Sequence, residues 1–230
     1  KFTKNTIIHK YIIANYVKIS SMSELLDILL EKRGITSEQK EFFLNPNYER
    51  DLHDPFLMRD MERACVRLFE AVDLKEKIII YADYDCDGIP GAVILQDLFE
   101  KINYSNFEVY IPQRNSEGYG LNLEAIKQFA QAEAKLLITV DLGITAVAEV
   151  AQAEIDGIDV IITDHHLPRI DASQGGFASL ALPRAYAILN PKTDNYPEKM
   201  LCGAGVIFKF AAAFIKKYGE YFKIKNGAEK

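Results

Sequence analysis

From Lys77 onward the sequence alternates between short, β-branched apolar runs and stretches with helical periodicity. This alternation constrains the fold more than any other feature. A strand that returns to the sheet through a helix must cross over and lie parallel to its neighbour. Strands are expected at 78–81, 107–111, 136–140, 160–163 and 186–189, and helices at 91–101, 123–132, 146–155 and 206–218. The strands are apolar without clean alternation, which implies a sheet covered on both faces. The expected class is therefore α/β, a mostly parallel sheet flanked by helices. Residues 1–75 read instead as a helical N-terminal segment, which places a division between 1–75 and 76–230. In that segment Ser23 is the expected cap of a helix ending at Arg33-Gly34. Ser37 to Leu44 forms a second helix before Asn45-Pro46. A third runs over 60–72, with Met61, Ala64, Cys65, Leu68 and Phe69 on one face. Gln174-Gly175-Gly176 marks a loop.

The chain has 230 residues, 49% of them hydrophobic and 26% charged, enough for a sizeable core and ordinary for a globular protein. No run approaches the ~18 consecutive apolar residues of a membrane helix, and the first ten residues carry no apolar segment of the kind that directs secretion, so a cytoplasmic location is expected. Three scattered cysteines, Cys65, Cys86 and Cys202, suit a reducing compartment and form no zinc or disulfide pattern. Cys86 reads as a small buried filler. A net charge of −6 argues against a broad basic face for nucleic acid, although a local basic groove is compatible with it.

Three expected strands end in acid: Tyr81-Ala82-Asp83-Tyr84-Asp85-Cys86-Asp87-Gly88, Val140-Asp141-Leu142-Gly143, and Thr163-Asp164-His165-His166. The carboxyl ends of parallel strands share one edge of a sheet, where ligands bind. One aspartate at a strand end usually caps the following helix. Three in register, one followed by two histidines, would gather five carboxylates and two imidazoles at a single edge. Like charges so placed repel and raise each other's pKa unless a cation neutralises them. Carboxylates with imidazole suit Mn²⁺ or Mg²⁺, and a pair of such ions can clamp both oxygens of a phosphoryl displacement.

These motifs, Asp83 to Gly88, Thr139-Val140-Asp141-Leu142-Gly143-Ile144 and Asp164-His165-His166, resemble the first three motifs of the DHH phosphoesterases. Further stretches resemble the RecJ-type, single-strand-specific exonuclease branch. They are Ile111-Pro112-Gln113-Arg114, Glu117-Gly118-Tyr119-Gly120, Asn190-Pro191-Lys192 and Leu201 to Val206, together with Arg33-Gly34-Ile35, Asp54-Pro55 and Asp60-Met61 near the start. The resemblance covers nearly the whole chain. It implies a metal-dependent phosphodiester hydrolase core acting 5′→3′ on single-stranded DNA, with Mn²⁺ or Mg²⁺ in a two-metal site. It makes Asp85, Asp87, Asp141 and His165 metal ligands, with Asp83 beside them. It turns His166 toward the scissile phosphate and has Asp164 orient the histidine pair. The family also has a fourth acidic motif, which residues 1–230 do not contain. The resemblance thus implies a domain incomplete at its C-terminus, single-stranded DNA bound through the complete protein, and weak or absent activity for this piece alone.

The remaining candidates each have a functional and a structural reading. Arg114 holds a phosphate or pairs with Glu117 or the acidic cluster. Tyr119 stacks on a base or anchors its loop. Gly203 and Gly205 offer amides to phosphate at a helix start or allow a tight turn. His9 and His53 read as surface or packing residues, and Lys216-Lys217 as a favourable pair at a helix end. Two rival functions are a DHH phosphodiesterase for short oligonucleotides, cyclic dinucleotides or pyrophosphate, and an inactive scaffold.

Overall fold

The computed structural model describes residues 21–171 and 179–224, and the chain divides into two compact units, residues 1–52 and 53–230. The Gln174-Gly175-Gly176 loop and His9 lie outside the described residues.

The smaller unit holds α1 (Met22–Lys32), α2 (Ser37–Leu44) and the short α3 (Tyr48–Asp51). The cap of α1 is Ser21, not Ser23. Ser21 keeps an extended backbone and its hydroxyl accepts the Glu24 N–H at 3.2 Å, whereas Ser23 already lies inside the first turn.

In the larger unit a 3-10 turn (Pro55–Leu57) leads into α4 (Met61–Asp73). The sequence pattern groups α4 with the helical front. Its apolar face, Met61, Ala64, Cys65, Leu68 and Ala71, is fully buried in the core against the sheet. Then follow β1 (Lys77–Ala82), α5 (Gly88–Lys101), β2 (Phe107–Tyr110), α6 (Leu123–Gln131), β3 (Ala134–Val140), α7 (Val147–Ile155) and β4 (Asp159–Thr163). A small hairpin, β5 (Arg169–Asp171) and β6 (Ser179–Ala181), precedes β7 (Ala187–Leu189) and α8 (Gly203–Tyr218).

Five strands form one sheet in the order β2-β1-β3-β4-β7, every pairing parallel. Alternate side chains enter opposite layers. Ile78, Ile80, Leu136, Ile138, Val140 and Ile161 pack with α4, α5 and α8. Ile79, Tyr81, Leu137, Val160 and Ile162 pack with α6 and α7. Each such fully buried aliphatic side chain contributes about 1.5–3 kcal/mol, so the two layers together fix the register. Arg67 ties the opposite end of the sheet. It is buried on α4, ion-paired with Glu76 at 2.7 Å and Asp159 at 2.6 Å, and donates to the Lys135 carbonyl at 3.2 Å.

The strand order decides where a ligand fits. From β1 the chain crosses to β2 on one side and then returns to β3 on the other. The loops after β1 and β3 therefore diverge and leave a crevice at the carboxyl edge. Asp83 to Asp87 and Asp141 stand on its two sides.

Candidate metal centre

The three acidic strand ends are stitched together by backbone bonds that continue the ladder. Asp83 N–H donates to Val140 O at 3.1 Å, Asp141 N–H to Thr163 O at 2.9 Å, and Asp164 N–H to Leu189 O at 3.0 Å. Two threonines add to this. Thr163 Oγ1 donates to Thr139 O at 2.6 Å, and Thr139 Oγ1 to Leu142 O at 2.7 Å. Both stand in the acidic motifs named above, where only the acids and histidines were given roles. Their signal is the Thr one or two places before the acid in each of two similar strands.

On this frame the aspartates take different roles. Asp85 accepts the N–H groups of Asp87 and Gly88 at 3.1 and 3.0 Å, and the Gly88 amide above all holds its carboxyl below the usual range. Asp83 is buried. Burial raises its carboxyl, and the neighbouring Asp85 adds to this against the Tyr84 N–H. Asp87 accepts the Gly203 N–H at 2.8 Å. Asp141 is wholly buried at a φ of 64°, a left-handed conformation that aspartate tolerates better than most residues.

Asp141 is the unusual group. Neither of its carboxylate oxygens has a hydrogen-bond partner among the described residues. The His165 ring nitrogen Nε2 lies 3.1 Å from Asp141 Oδ1 and 3.6 Å from Asp87 Oδ2, the first approach close but without hydrogen-bond geometry. Burial, then Asp87 and Asp85, pushes the Asp141 carboxyl up to about 8. Burial and the neighbouring His166 hold the His165 imidazole below its ordinary value, which favours the neutral ring with its lone pair. Lone pairs facing lone pairs in a buried site are costly unless a proton or a cation lies between them, and the raised Asp141 carboxyl reports that cost.

Two groups of potential ligand atoms lie within 4.8 Å of one another: Asp83, Asp85 and Asp141, and Asp141, His165 and His166. Asp141 is common to both. This donor set, oxygen-rich with imidazole nitrogen and no thiolate, fits hard or borderline divalent ions. Cys86 is exposed rather than a buried filler, because the Asp85–Gly88 turn projects from the sheet edge.

Asp164 is buried behind the histidines. Its Oδ1 accepts the His165 and His166 amides at 2.7 and 3.0 Å and meets His166 Nδ1 at 2.8 Å, while Oδ2 accepts the Ile144 N–H at 2.9 Å. Burial works to raise this carboxyl, but the His166 ring and these amides hold it below the ordinary range. In return Asp164 raises His166 and fixes its Nδ1 inward.

The other candidates surround this cluster. Arg114 follows β2, is exposed, has no ion pair among the described residues and lies 5.5 Å over the Tyr84 ring. Glu117 is occupied by Tyr110, by the Gln113 N–H at 2.7 Å and by Asn122. The Tyr119 ring stands edge-on to His166 at 6.3 Å, on the rim of a groove of about 840 Å³ that runs along the start of α7. A Cβ on Gly203 would lie 2.4 Å from Asp141 Oδ1, so this glycine lets α8 approach the acid, and its amide is already engaged by Asp87. Gly205 faces Leu201 and Cys202, away from the acids. The backbone carbonyl of His53 accepts from Lys209 Nζ at 2.8 Å. Lys216 pairs with Asp54, and Lys217 with Glu62.

Residues 77–228 match the DHH family, N-terminal domain. The chain belongs to the DHH family. It is 40% identical over 207 residues to the single-stranded-DNA-specific exonuclease RecJ of Bacillus subtilis (strain 168), covering 86% of this chain and 25% of that protein. Against the RecJ of Escherichia coli (strain K12) it is 33% identical over 215 residues, covering 90% of this chain and 34% of that protein. The structure is similar to that of an exonuclease RecJ bound to manganese, with a TM-score of 0.63 and 28% identity over 73% of this chain and 40% of that one. This DHH chain thus spans a quarter to a third of the length of these curated relatives. Among the described residues no helix is long and apolar enough to cross a membrane.

Proposed function

We propose that residues 76–230 are the metal-binding core of a phosphodiester hydrolase that degrades single-stranded DNA as an exonuclease. The observation that carries the reading is the buried Asp141 carboxylate, unpartnered and shared by two sets of potential ligands, in a DHH chain that resembles RecJ. Asp83, Asp85 and Asp141 would hold one Mn²⁺ or Mg²⁺ ion, and Asp141 and His165, with Asp87 3.6 Å from His165, a second. Such ions neutralise the carboxylates, activate water and polarise the phosphoryl oxygens.

The chain's own residues do the rest. With Nδ1 tied to Asp164, His166 turns Nε2 outward toward a phosphate oxygen, and Asp164 raises the ring's affinity for a second proton. Asp164 acts through His166 by fixing its tautomer and orientation. Arg114, without an ion pair among the described residues, offers a planar fork to a neighbouring phosphate. Tyr119 offers an exposed ring to an unpaired base, a contact that duplex DNA would deny. The Gly203 amide supports Asp87 rather than substrate, and Gly205 shapes the start of α8 beside it. A cytoplasmic, reducing setting fits the three free cysteines.

The test is to incubate 5′-labelled single-stranded DNA and the matching duplex with the chain and Mn²⁺, beside the B. subtilis relative. Loss of single strand in Mn²⁺, abolished by a chelator and slower than with RecJ, is expected. Equal digestion of the duplex, or activity that survives chelation, would contradict the proposal.

A further inference from the structure

The edge strand β7 pairs with β4 only over Ile161–Thr163 against Ala187–Leu189. The ladder does not end there. Leu189 O accepts the Asp164 N–H, and beyond it the Asn190 side chain continues the pairing, its Nδ2 donating to His166 O at 2.9 Å. Asn190 is fully buried. Its other amide atom, Oδ1, accepts the Lys192 N–H at 2.9 Å, and its carbonyl accepts the Thr193 N–H and hydroxyl at 3.2 and 3.1 Å. The carboxamide is therefore satisfied at both ends and locked in one orientation.

The His165-His166 segment has left the sheet, so backbone pairing no longer fixes it. Asp164 holds the two amides and the His166 ring from one side. The His166 carbonyl would be loose without a donor on the other side. Asn190 is that donor, and it extends the sheet by one side chain to reach the loop that carries both histidines.

We propose that Asn190 is a positioning residue for His166, setting the direction of the outward ring nitrogen through the His166 carbonyl. This rests on the hydrolase reading above. Neither neighbour in chemistry can replace it. Aspartate would put a buried carboxylate against the carbonyl oxygen, and alanine would remove this donor from it. A small displacement of a reacting group lowers turnover more than binding.

The experiment has two arms. In the first, Asn190→Ala and Asn190→Asp are compared with the unaltered protein for Mn²⁺-dependent hydrolysis of single-stranded DNA. Both should lower kcat roughly ten- to hundred-fold, with KM within about twofold, as expected when ground-state binding is kept, and with Asn190→Asp the more damaged. In the second, the ¹⁵N-histidine spectrum of the metal-free protein is recorded. The His166 ring resonances should move or broaden in Asn190→Ala, and those of His53 should stay in place. Unchanged His166 resonances in a folded variant would overturn the proposal, whatever the activity. So would a rise in KM with kcat preserved. If the unaltered protein fails to hydrolyse DNA, the functional reading falls while the spectrum still decides the role of Asn190.

Discussion

Replacing Asp141 by asparagine should stabilise the metal-free protein, although it removes a residue from the centre of the site. The carboxyl is fully buried and pushed from 3.8 up to about 8 by burial and by Asp87 and Asp85. The sign follows from linkage. Below about pH 4 both the folded and unfolded forms carry a protonated Asp141, and no penalty exists. As pH rises toward 8 the unfolded chain ionises first, so folding loses stability across that whole window and is level above it. At ~1.4 kcal/mol per unit the penalty is about 4 kcal/mol at pH 7, and relaxation around the charge reduces it to roughly 2–4. Asparagine keeps the size and accepts the left-handed backbone at φ 64°, which alanine would not. Thermal unfolding in chelator should therefore show Asp141→Asn with a midpoint several degrees above the parent at pH 7.5, at about 2–4 °C per kcal/mol. The gap should close near pH 4. A variant less stable than the parent at pH 7.5, or a gap independent of pH, would refute the account of Asp141 as an uncompensated buried acid.

Other substitutions probe the frame and the substrate groups. Arg67→Met should cost roughly 1–3 kcal/mol in urea unfolding, since it strands Glu76 and Asp159, which are partly exposed. Gly203→Ala should lower stability by about 1–3 kcal/mol and abolish Mn²⁺-dependent hydrolysis, because its methyl group meets Asp141. Gly205→Ala meets the Leu201 side chain at 3.3 Å and Cys202 Sγ at 3.9 Å and should be milder by melting temperature. Arg114→Ala should raise KM for single-stranded DNA roughly tenfold at an unchanged melting temperature. A fall in kcat alone would place Arg114 elsewhere.

Much of this arrangement was legible in the sequence because it depends on periodicity and on strand ends. The apolar runs at 78–81 and 136–140 could be buried strands only, and an acid at the end of each placed Asp83 and Asp141 on one edge. What escaped depends on geometry that one sequence does not carry. The hairpin of β5 and β6 has strands too short for any period. Cys86 looked apolar enough to be buried, but its turn projects from the edge. Helix α4 follows the helical front in sequence, yet its buried face belongs to the sheet. Asn190 stood out only as part of a family stretch, since its partner His166 is 24 residues away and is met through a backbone carbonyl. The engagement of the Gly203 amide by Asp87 is equally remote in sequence.

The most direct test of the central claim, that Asp141 joins two sets of ligands around divalent cations, is a Mn²⁺ titration of the protein followed by electron paramagnetic resonance. The unaltered chain should take up Mn²⁺ with loss of the free-ion signal, and Asp141→Asn, folded and more stable at neutral pH, should leave that signal in solution. Equal uptake by the two proteins would contradict the account.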